Sequence, residues 1–296
     1  MTLAFMFIGQ GTPPPWVTRD VLGDRDVVPL IDVASEATGM DIARLLIAGG
    51  RELAKTEIEQ PTIVAVCLGL CRMLARAGVA PGVVMGHSLG ELTAWAAAGA
   101  ISDEDAVRIA AVRGRLMARE AARSPGGLAR LIGDRATCER AIAAGAAVGS
   151  MCIAAYNAED EWALAGDEPA LAAVIAQFRA RRLPQTGAWH SPAMAGAVDE
   201  LRAALGALPR QALRARFLAN RDGSDADGET IPELLAGQLV RPVRWLEMVR
   251  TADALGVQRY IAVGPGKTLR GLIHRELGVA RSVTIVDNVR SVAECG

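Results

Sequence analysis

The chain has 296 residues, of which 51% are hydrophobic and 22% charged, and its formal net charge is -1. This length holds one large domain, or a large domain with a smaller insert, and the near-zero charge argues against nucleic acid as a bulk electrostatic partner. We find no apolar run long enough to cross a membrane. The apolar start, residues 1–8, lacks the basic region and cleavage site of a signal peptide, so it predicts a core strand.

The cysteines are odd in number and do not cluster with histidine. This pattern predicts neither a disulfide framework nor a zinc site, and it suits a reducing cytoplasm, where we expect the protein to be found. The five cysteines are Cys67, Cys71, Cys138, Cys152 and Cys295.

The first predicted element is a buried strand over residues 3–8, a continuous apolar run that ends at Gly9-Gln10-Gly11. A turn of this composition at the carboxyl end of a strand exposes backbone N–H groups beside a potential site, although such loops are common. Pro13-Pro14-Pro15 then forces an extended exit. Residues 17–60 carry no clear pattern, and residues 62–77 predict a buried helix.

The stretch from Val83 to Gly99 predicts a strand, a sharp turn and a helix. Its turn, Gly86-His87-Ser88-Leu89-Gly90, fits G-x-S-x-G, the pattern of a nucleophile elbow that exposes a serine hydroxyl. The helix N-terminus behind the serine directs N–H groups and the positive end of its dipole at an anion formed there. A five-residue pattern such as G-x-S-x-G often occurs by chance, but the flanking strand and helix favour a nucleophilic Ser88.

A further helix is predicted from Ser102, a cap residue followed by three acidic residues, to about Ala122. Arg113 falls on the apolar stripe of this helix, and a guanidinium there needs a partner because an unpaired buried charge is costly. Position alone leaves two partners open. One is an acidic side chain of the protein, the commoner arrangement, and the other is a carboxylate that arrives with the substrate and is held by a bidentate fork.

Residues 127–186 predict strands and helices in the order β-α-β-β-α-β, the ferredoxin-like order. We interpret this segment as a small subdomain inserted into a larger α/β unit. The large subdomain then comprises residues 1–125 and 190–296, and the small one residues 126–189. The predicted elements are strands 127–132, 151–156, 161–165 and 182–185, and helices 135–144 and 168–180.

The chain has three histidines, and each is a possible general base. His87 adjoins Ser88, where neighbouring side chains diverge, so we expect it to pack under the turn. The chain order of a standard α/β-hydrolase favours His274 on a late helix, whereas a cleft between two subdomains favours His190 at the junction with the insert. The residues alone do not decide between these two.

A last strand is predicted at Tyr260–Val263, ending at Gly264-Pro265-Gly266-Lys267-Thr268. This turn is not a phosphate loop, because G-x-x-x-x-G-K-T requires glycine at position 261, where the chain has Ile261. Before this strand, residues 237–245 predict a loop that leads into a helix.

Together, these segments resemble the malonyl-CoA:acyl carrier protein transacylase family, the acyltransferases of fatty-acid and polyketide synthesis. We therefore expect an α/β fold with a large α/β-hydrolase-like subdomain built on a parallel sheet, plus the inserted ferredoxin-like small subdomain. The motifs run in the family's order from Phe7 to Val286. They are Gly9-Gln10-Gly11, Gly86 to Glu91, Arg113-Gly114, Asn157, His190-Ser191-Pro192 with Met194, Gln238-Leu239, Pro242 to Trp245, and Val263 to Lys267.

The resemblance implies a two-step acyl relay with no permanently bound cofactor. Ser88 would attack the thioester of malonyl-CoA while His190 takes its proton, and the backbone carbonyl of Gln238 would orient the histidine. The malonyl group would then pass to the phosphopantetheine thiol of an acyl carrier protein. The resemblance thus favours His190 over His274.

The resemblance also implies how the charges of the reaction are held. The backbone N–H groups of Gln10 and Leu89 would bind the oxyanion, and Arg113 would bind the free malonyl carboxylate. Asn157 and His87 are further candidates for the pocket. We expect a monomer whose partners are a coenzyme A thioester and the carrier protein.

Substrate selectivity is predicted from the residues before the histidine. In polyketide acyltransferases, sequences like H-A-F-H accompany malonyl and Y-A-S-H methylmalonyl, and Gly187-Ala188-Trp189-His190 has the bulky aromatic of the first. A methyl branch would compete with Trp189 for space. Leu89, where methylmalonyl enzymes often carry Gln, agrees, so we predict malonyl.

Two departures from the family bear on access to the site. Thr12-Pro13-Pro14-Pro15 replaces the usual Ser and Gln after Gly-Gln-Gly, which predicts a repositioned outer side of the oxyanion loop. Asn157 is followed by Ala158-Glu159-Asp160, so an acidic carrier protein would favour Arg241, Arg244 or the run from Arg179 to Arg182.

Two other functions are compatible with parts of the sequence. An acyl hydrolase on the same scaffold would release acyl groups from carrier proteins by letting water replace the thiol, but neutral acyl chains have no use for the cation Arg113. A non-catalytic docking protein would not need Ser88, His190, Arg113 and Gln10 together.

Overall fold

The computed structural model describes residues 2–11 and 17–296 and arranges their strands in two sheets. The strands are β1 (Thr2–Phe7), β2 (Val83–Gly86), β3 (Gly127–Ile132), β4 (Met151–Ala158), β5 (Glu161–Gly166), β6 (Ala180–Arg182), β7 (Arg216–Leu218), β8 (Asp225–Ala226), β9 (Val257–Val263) and β10 (Ser282–Val286). The α-helices are α1 (Arg19–Leu22), α2 (Val28–Thr38), α3 (Ile42–Ala48), α4 (Thr56–Arg76), α5 (Leu89–Ala97), α6 (Asp103–Arg123), α7 (Arg135–Ala146), α8 (Glu168–Gln177), α9 (Val198–Gly206), α10 (Ile231–Gly237), α11 (Trp245–Ala254), α12 (Lys267–Leu277) and α13 (Val289–Ala293). Short 3-10 helices span Arg51–Ala54, Pro192–Ala197 and Gln238–Val240.

The larger sheet has the strand order β10-β9-β1-β2-β7-β8 and is parallel except for β8, which runs antiparallel to β7. Its two central strands, β1 and β2, are almost wholly buried, because strands covered on both faces are continuous apolar runs. The carboxyl ends of β1, β2, β7 and β9 therefore lie along one edge. In open parallel sheets this edge is where ligands bind.

Helix α4 corrects two predictions from the sequence. It begins at Thr56 rather than near Thr62, with Pro61 inside its N-terminal half. By length and composition it could also span a membrane, contrary to the expectation that no run qualifies, but 83% of its most apolar window is buried within the fold. It packs against α2 and α6. A core helix surrounded by other elements is apolar on most faces, as a membrane helix is.

The smaller sheet is antiparallel, with the strand order β4-β5-β3-β6, and its elements follow one another as strand, helix, strand, strand, helix, strand. The predicted last strand, residues 182–185, is wrong: β6 covers Ala180–Arg182. A short edge strand with two arginines lacks the apolar alternation that predicts a strand. This sheet has its own small core, formed by Leu131, Cys138, Ala141, Trp162, Leu164 and Val174.

The two sheets are joined next to the carboxyl edge of the larger one. The backbone N–H of Tyr156 in β4 donates to the carbonyl of Val243 at 2.8 Å, and the N–H of Val243 donates to the carbonyl of Ala154 at 2.9 Å. Because Val243 lies just before α11, these bonds hold β4 against the loop that follows Gln238. The second half of β4 is thereby brought to the carboxyl edge of the larger sheet, where Ser88 also lies.

Candidate active site

Ser88 lies in the turn between β2 and α5 with φ 54° and ψ -114°. The turn needs glycine on both sides of the serine. A Cβ on Gly86 would lie 2.0 Å from the backbone carbon of Gly90, and a Cβ on Gly90 would lie 2.2 Å from the carbonyl oxygen of Phe7. The neighbouring backbone segments therefore lie too close for a residue with a Cβ atom at position 86 or 90, as the G-x-S-x-G pattern predicts.

The Oγ of Ser88 lies 2.7 Å from Nε2 of His190, so the structure brings these two predicted residues together. On the other side of the ring, Nδ1 lies 2.9 Å from the backbone carbonyl oxygen of Gln238. A carbonyl only accepts, so Nδ1 carries the proton and Nε2 is free to accept from the serine hydroxyl. His274, the alternative base, instead contacts the carbonyl of Arg281 at 3.1 Å.

The charge state of His190 follows from its surroundings. The ring is buried, and burial together with the positive charge of Arg113 lowers the pKa of His190 to about 3. Among the described residues no carboxylate contacts the ring. The imidazole is therefore neutral at physiological pH and able to take a proton.

The backbone N–H groups of Gln10 and Leu89 have no hydrogen-bond partner in the described part of the chain. Leu89 is the first residue of α5, where N–H groups have no acceptor within the helix. A Cβ on Gly9 would lie 3.5 Å from the Cβ of Ser88, so the turn containing Gln10 is adjacent to the serine. Two unpaired donors thus lie beside the hydroxyl.

The turn that contains Gln10 is fixed from helix α4 and from the insert. The side-chain Oε1 of Gln10 accepts from Thr56 Oγ1 at 2.7 Å and from Gln60 at 3.3 Å. The backbone carbonyl of Gln10 accepts from Gln185 at 3.1 Å. The following N–H, that of Gly11, donates to Glu59 Oε1 at 2.9 Å. Such contacts hold a backbone donor in place before any substrate arrives.

Arg113 lies on α6 with 3% of its surface exposed, and its guanidinium is bound by amides and not by an acid. Nη1 donates to Oε1 of Gln60 and Nη2 to Oε1 of Gln238, each at 2.8 Å. It takes part in no ion pair with another described residue, so the internal ion pair considered from the sequence is not formed. Burial lowers the pKa of Arg113 to about 10, and the nearby charge of Glu91 opposes this, so the side chain stays a cation at neutral pH.

A cavity of about 700 Å³ opens in front of Ser88 and His190. Gln10, Asn157 and His87 also line it. His87 was expected beneath the turn, but its Nε2 lies 2.9 Å from Oδ1 of Asn157 at the cavity wall, and burial lowers the pKa of His87. Five of the predicted site residues therefore line one cavity, namely Gln10, His87, Ser88, Asn157 and His190.

Of the residues predicted to set selectivity, Trp189 lines the cavity and Leu89 does not. The Leu89 side chain is fully buried, and Arg113, also buried, is not among the residues that line the cavity. The predicted departure Thr12-Pro13-Pro14-Pro15 lies outside the described residues. Among the described residues, no group of three or more His, Cys, Asp or Glu side chains is placed to bind a metal ion, and all five cysteines are free.

Asn220 and Glu91 complete the site, and neither is assigned a role from the sequence. Asn220 Oδ1 accepts from the N–H of Ser88 at 2.9 Å, and its Nδ2 donates to the carbonyl of Gly86 at 2.6 Å. Glu91, on α5, accepts from the N–H of Asn220 at 2.6 Å. The signal that could have identified Asn220 is its position two residues after the end of β7, because β7 is the parallel neighbour of β2.

Comparisons with known proteins agree with this arrangement. The acyl transferase domain family matches residues 4–286. The malonyl CoA-acyl carrier protein transacylase of Mycobacterium tuberculosis (strain ATCC 25618 / H37Rv) is 33% identical over 292 residues, which cover 93% of each chain. The protein of the same name from Escherichia coli K12 is 32% identical over 283 residues, or 92% of each chain.

Solved structures give the same result. A malonyl-transacylase in complex with its type II polyketide synthase acyl carrier protein aligns with a TM-score of 0.92 and 28% identity. The alignment covers 100% of this chain and 99% of that one. The likeness therefore extends over both sheets and the insert.

Proposed function

The chain belongs to the acyl transferase domain family, and from that premise we propose that it is a malonyl-CoA:acyl carrier protein transacylase of fatty-acid or polyketide synthesis. The proposal rests on one observation above all. Ser88 Oγ and His190 Nε2 lie 2.7 Å apart in a cavity behind which a buried guanidinium, that of Arg113, has no acidic partner among the described residues. A neutral serine-histidine pair with a nearby cation suits acyl transfer from a thioester that carries a free carboxylate.

In the first half-reaction, Ser88 Oγ attacks the thioester carbonyl carbon of malonyl-CoA, and His190 Nε2 takes the hydroxyl proton. The carbonyl oxygen becomes an oxyanion held by the N–H groups of Gln10 and Leu89, each worth ~3 kcal/mol of the barrier in serine acyl transfer. When the tetrahedral intermediate collapses, His190 protonates the departing thiolate of coenzyme A. The product is malonyl-Ser88.

In the second half-reaction, the phosphopantetheine thiol of the carrier protein attacks malonyl-Ser88 while His190 takes the thiol proton. The new thioester forms and the proton returns to Ser88 Oγ, so the enzyme ends unchanged. The reaction is ping-pong because coenzyme A leaves before the carrier thiol enters. No permanently bound cofactor takes part in either half-reaction.

Arg113 binds the free carboxylate of the malonyl group. Two of its N–H donors are used by Gln60 and Gln238, and the remaining ones are available for a carboxylate. The side chain is buried but close enough to His190 for its charge to lower the pKa of the imidazole, which places the cation near the serine-histidine pair. Trp189, on the cavity side, restricts the space beside the acyl group and favours malonyl over methylmalonyl.

The carrier protein docks on exposed arginines, of which Arg181 lines the cavity. Arg179, Arg181 and Arg241 are exposed and form no ion pair with another described residue. Two further candidates are poorer. Arg182 pairs with Glu168 at 2.6 Å, and Arg244 pairs with Glu247 and stacks 4.0 Å over the ring of Tyr156.

The finer architecture belongs to the same proposal. We assign residues 1–125 and 190–296 to an α/β-hydrolase-like subdomain and residues 126–189 to a ferredoxin-like one. The serine turn after β2 supports the first assignment, and the strand order β4-β5-β3-β6 supports the second. The free cysteines suit the cytoplasm, and the exposed large apolar residues are few and scattered among the described residues, which supports a monomer.

Carrier dependence separates transfer from hydrolysis, the alternative function on this scaffold. Release of coenzyme A from malonyl-CoA is followed with and without a holo acyl carrier protein, and the malonyl-carrier product is counted by mass spectrometry. We expect sustained release only with the carrier, with one malonyl-carrier formed per coenzyme A released. The apo carrier, which lacks the thiol, is the matched control. Equal release without carrier protein would identify a hydrolase.

A further inference from the structure

Gln238 contacts three parts of the site through three different groups. Its backbone carbonyl accepts from Nδ1 of His190 at 2.9 Å, and its amide oxygen accepts from Nη2 of Arg113 at 2.8 Å. Its amide nitrogen donates to the carbonyl of Ser88 at 2.9 Å and to the carboxylate of Glu91. The amide oxygen therefore faces a donor, and the amide nitrogen faces two acceptors.

The direction of the amide matters because a half-turn would exchange its oxygen and its NH₂ group. After such a turn, the NH₂ group would face the guanidinium of Arg113, and the oxygen would face the carbonyl of Ser88 and the carboxylate of Glu91. Every one of these contacts would be between like groups. Glu91 is the charged acceptor on the nitrogen side, and hydrogen bonds to charged groups are the stronger ones.

We propose that Glu91 is a positioning residue for malonyl selectivity. By accepting from the NH₂ group of Gln238, it keeps the amide oxygen on Arg113 and thereby fixes the guanidinium that receives the substrate carboxylate. The inference rests on the proposed function, because it assigns Glu91 a part in recognising the malonyl group.

The surroundings of Glu91 support this role. It is 1% exposed, on a helix whose other residues are small or apolar. Its Oε1 accepts from the N–H of Asn220 at 2.6 Å and its Oε2 from Gln238, so both oxygens face N–H donors. Burying a carboxylate costs folding free energy unless the charge is hydrogen-bonded, and the two N–H donors supply these bonds. Burial raises the pKa of Glu91 to about 7 although the two donors favour the ionised form, so Glu91 is a charged acceptor in assays above this pH.

The substitution Glu91→Gln tests the role while preserving shape. A carboxylate accepts from two donors, but an amide accepts with its oxygen only and presents hydrogens at its other end. In this variant either the N–H of Asn220 or the NH₂ group of Gln238 loses its acceptor. Loss at Gln238 releases the amide from its fixed direction and weakens its hold on Arg113.

The experiment measures kcat/KM for malonyl-CoA and for acetyl-CoA, each with the same holo carrier protein. We expect Glu91→Gln to lower the malonyl-to-acetyl ratio about tenfold or more, as for a lost hydrogen bond to a charged group. The ratio is independent of the fraction of folded enzyme, so partial misfolding does not obscure it. Glu120→Gln is the matched control, because Glu120 is also buried on a helix but pairs with Arg119 and Arg123.

A second background tests whether the effect passes through Gln238. The substitution Gln238→Leu removes the amide but keeps the backbone carbonyl that contacts His190. If Glu91 acts through the amide, adding Glu91→Gln to Gln238→Leu changes the ratio no further. An unchanged ratio in the single variant, or an equal further fall in the double variant, overturns the inference. Absence of malonyl transfer by the unaltered enzyme would instead overturn the proposed function.

Discussion

Ser88 and His190 lie with Oγ and Nε2 2.7 Å apart, and they are the two described residues other than glycine with a positive φ, at 54° and 59°. A side chain in this backbone region costs of order 1–3 kcal/mol and persists only where its surroundings impose it. At Ser88 the close backbone approach at Gly86 and Gly90 imposes the positive φ. At His190 the hydrogen bond between Nδ1 and the carbonyl of Gln238 fixes the ring. The two side chains are therefore held together before any substrate binds.

Arg113→Ala should lower kcat/KM for malonyl-CoA by about 10- to 100-fold, because a charge-assisted bond of ~1.5–3 kcal/mol to the carboxylate is lost. Acetyl-CoA has no carboxylate, so its transfer should hold or rise. The measurement is transfer to holo carrier protein with each thioester. Arg115→Ala is the control on the same helix, since Arg115 is exposed. Parallel loss with both thioesters would show that Arg113 is only structural.

The rate of Ser88 acylation should stay nearly constant as the pH falls from 8 to 5. A base must be neutral, and burial lowers the pKa of His190 to about 3, so the imidazole remains unprotonated over this range. With an ordinary pKa of ~6.5, only about 3% would be neutral at pH 5. Single-turnover acylation by acetyl-CoA is the suitable assay, because it excludes titration of a substrate carboxylate. A roughly thirtyfold fall by pH 5 would mean that His190 titrates normally.

Trp189→Ser should raise the methylmalonyl-to-malonyl ratio of acyl-enzyme formation. Overpacking a methyl group against the indole costs about 1–3 kcal/mol, so its relief predicts a change of about 5- to 150-fold. Equimolar competition, resolved by the two adduct masses, gives the ratio directly. Trp189→Phe keeps an aromatic ring and should resemble the unaltered enzyme. If both variants keep the original ratio, selectivity lies elsewhere in the cavity.

Charge reversal at the docking arginines should weaken the carrier protein selectively. Arg179→Glu and Arg241→Glu are expected to raise KM for the carrier while leaving KM for malonyl-CoA unchanged, because acidic partners are attracted to exposed unpaired cations. Arg290→Glu, whose side chain is 89% exposed on α13, is the matched control. Docking on another face is indicated if all three variants bind the carrier equally well.

The order of the elements could be predicted because local patterns decide it. The apolar runs of β1 and β2, the glycines around Ser88 and the cap at Ser102 each act within a few residues. The arginine-rich β6 could not be placed, because an edge strand with one partner needs no apolar face. The start of α4 was missed because polar residues of its first turns, such as Gln60, are buried by contacts with distant residues.

The site was predictable only where the chemistry lies in a motif. Ser88 belongs to a turn pattern, and His190 was one of three histidines, so a resemblance could select it. Asn220 and the amide network around Arg113 depend on contacts between residues 53 to 150 positions apart in the chain. Such contacts arise from the packing of strand ends and helices, which no short stretch of sequence records.

Acylation of Ser88 by malonyl-CoA is tested directly by intact-protein mass spectrometry after the two are mixed. The unaltered enzyme should gain the mass of one malonyl group, peptide mapping should locate it on Ser88, and holo carrier protein should remove it. Ser88→Ala should gain nothing. An enzyme that stays unmodified, or an adduct that persists in Ser88→Ala, would contradict the account.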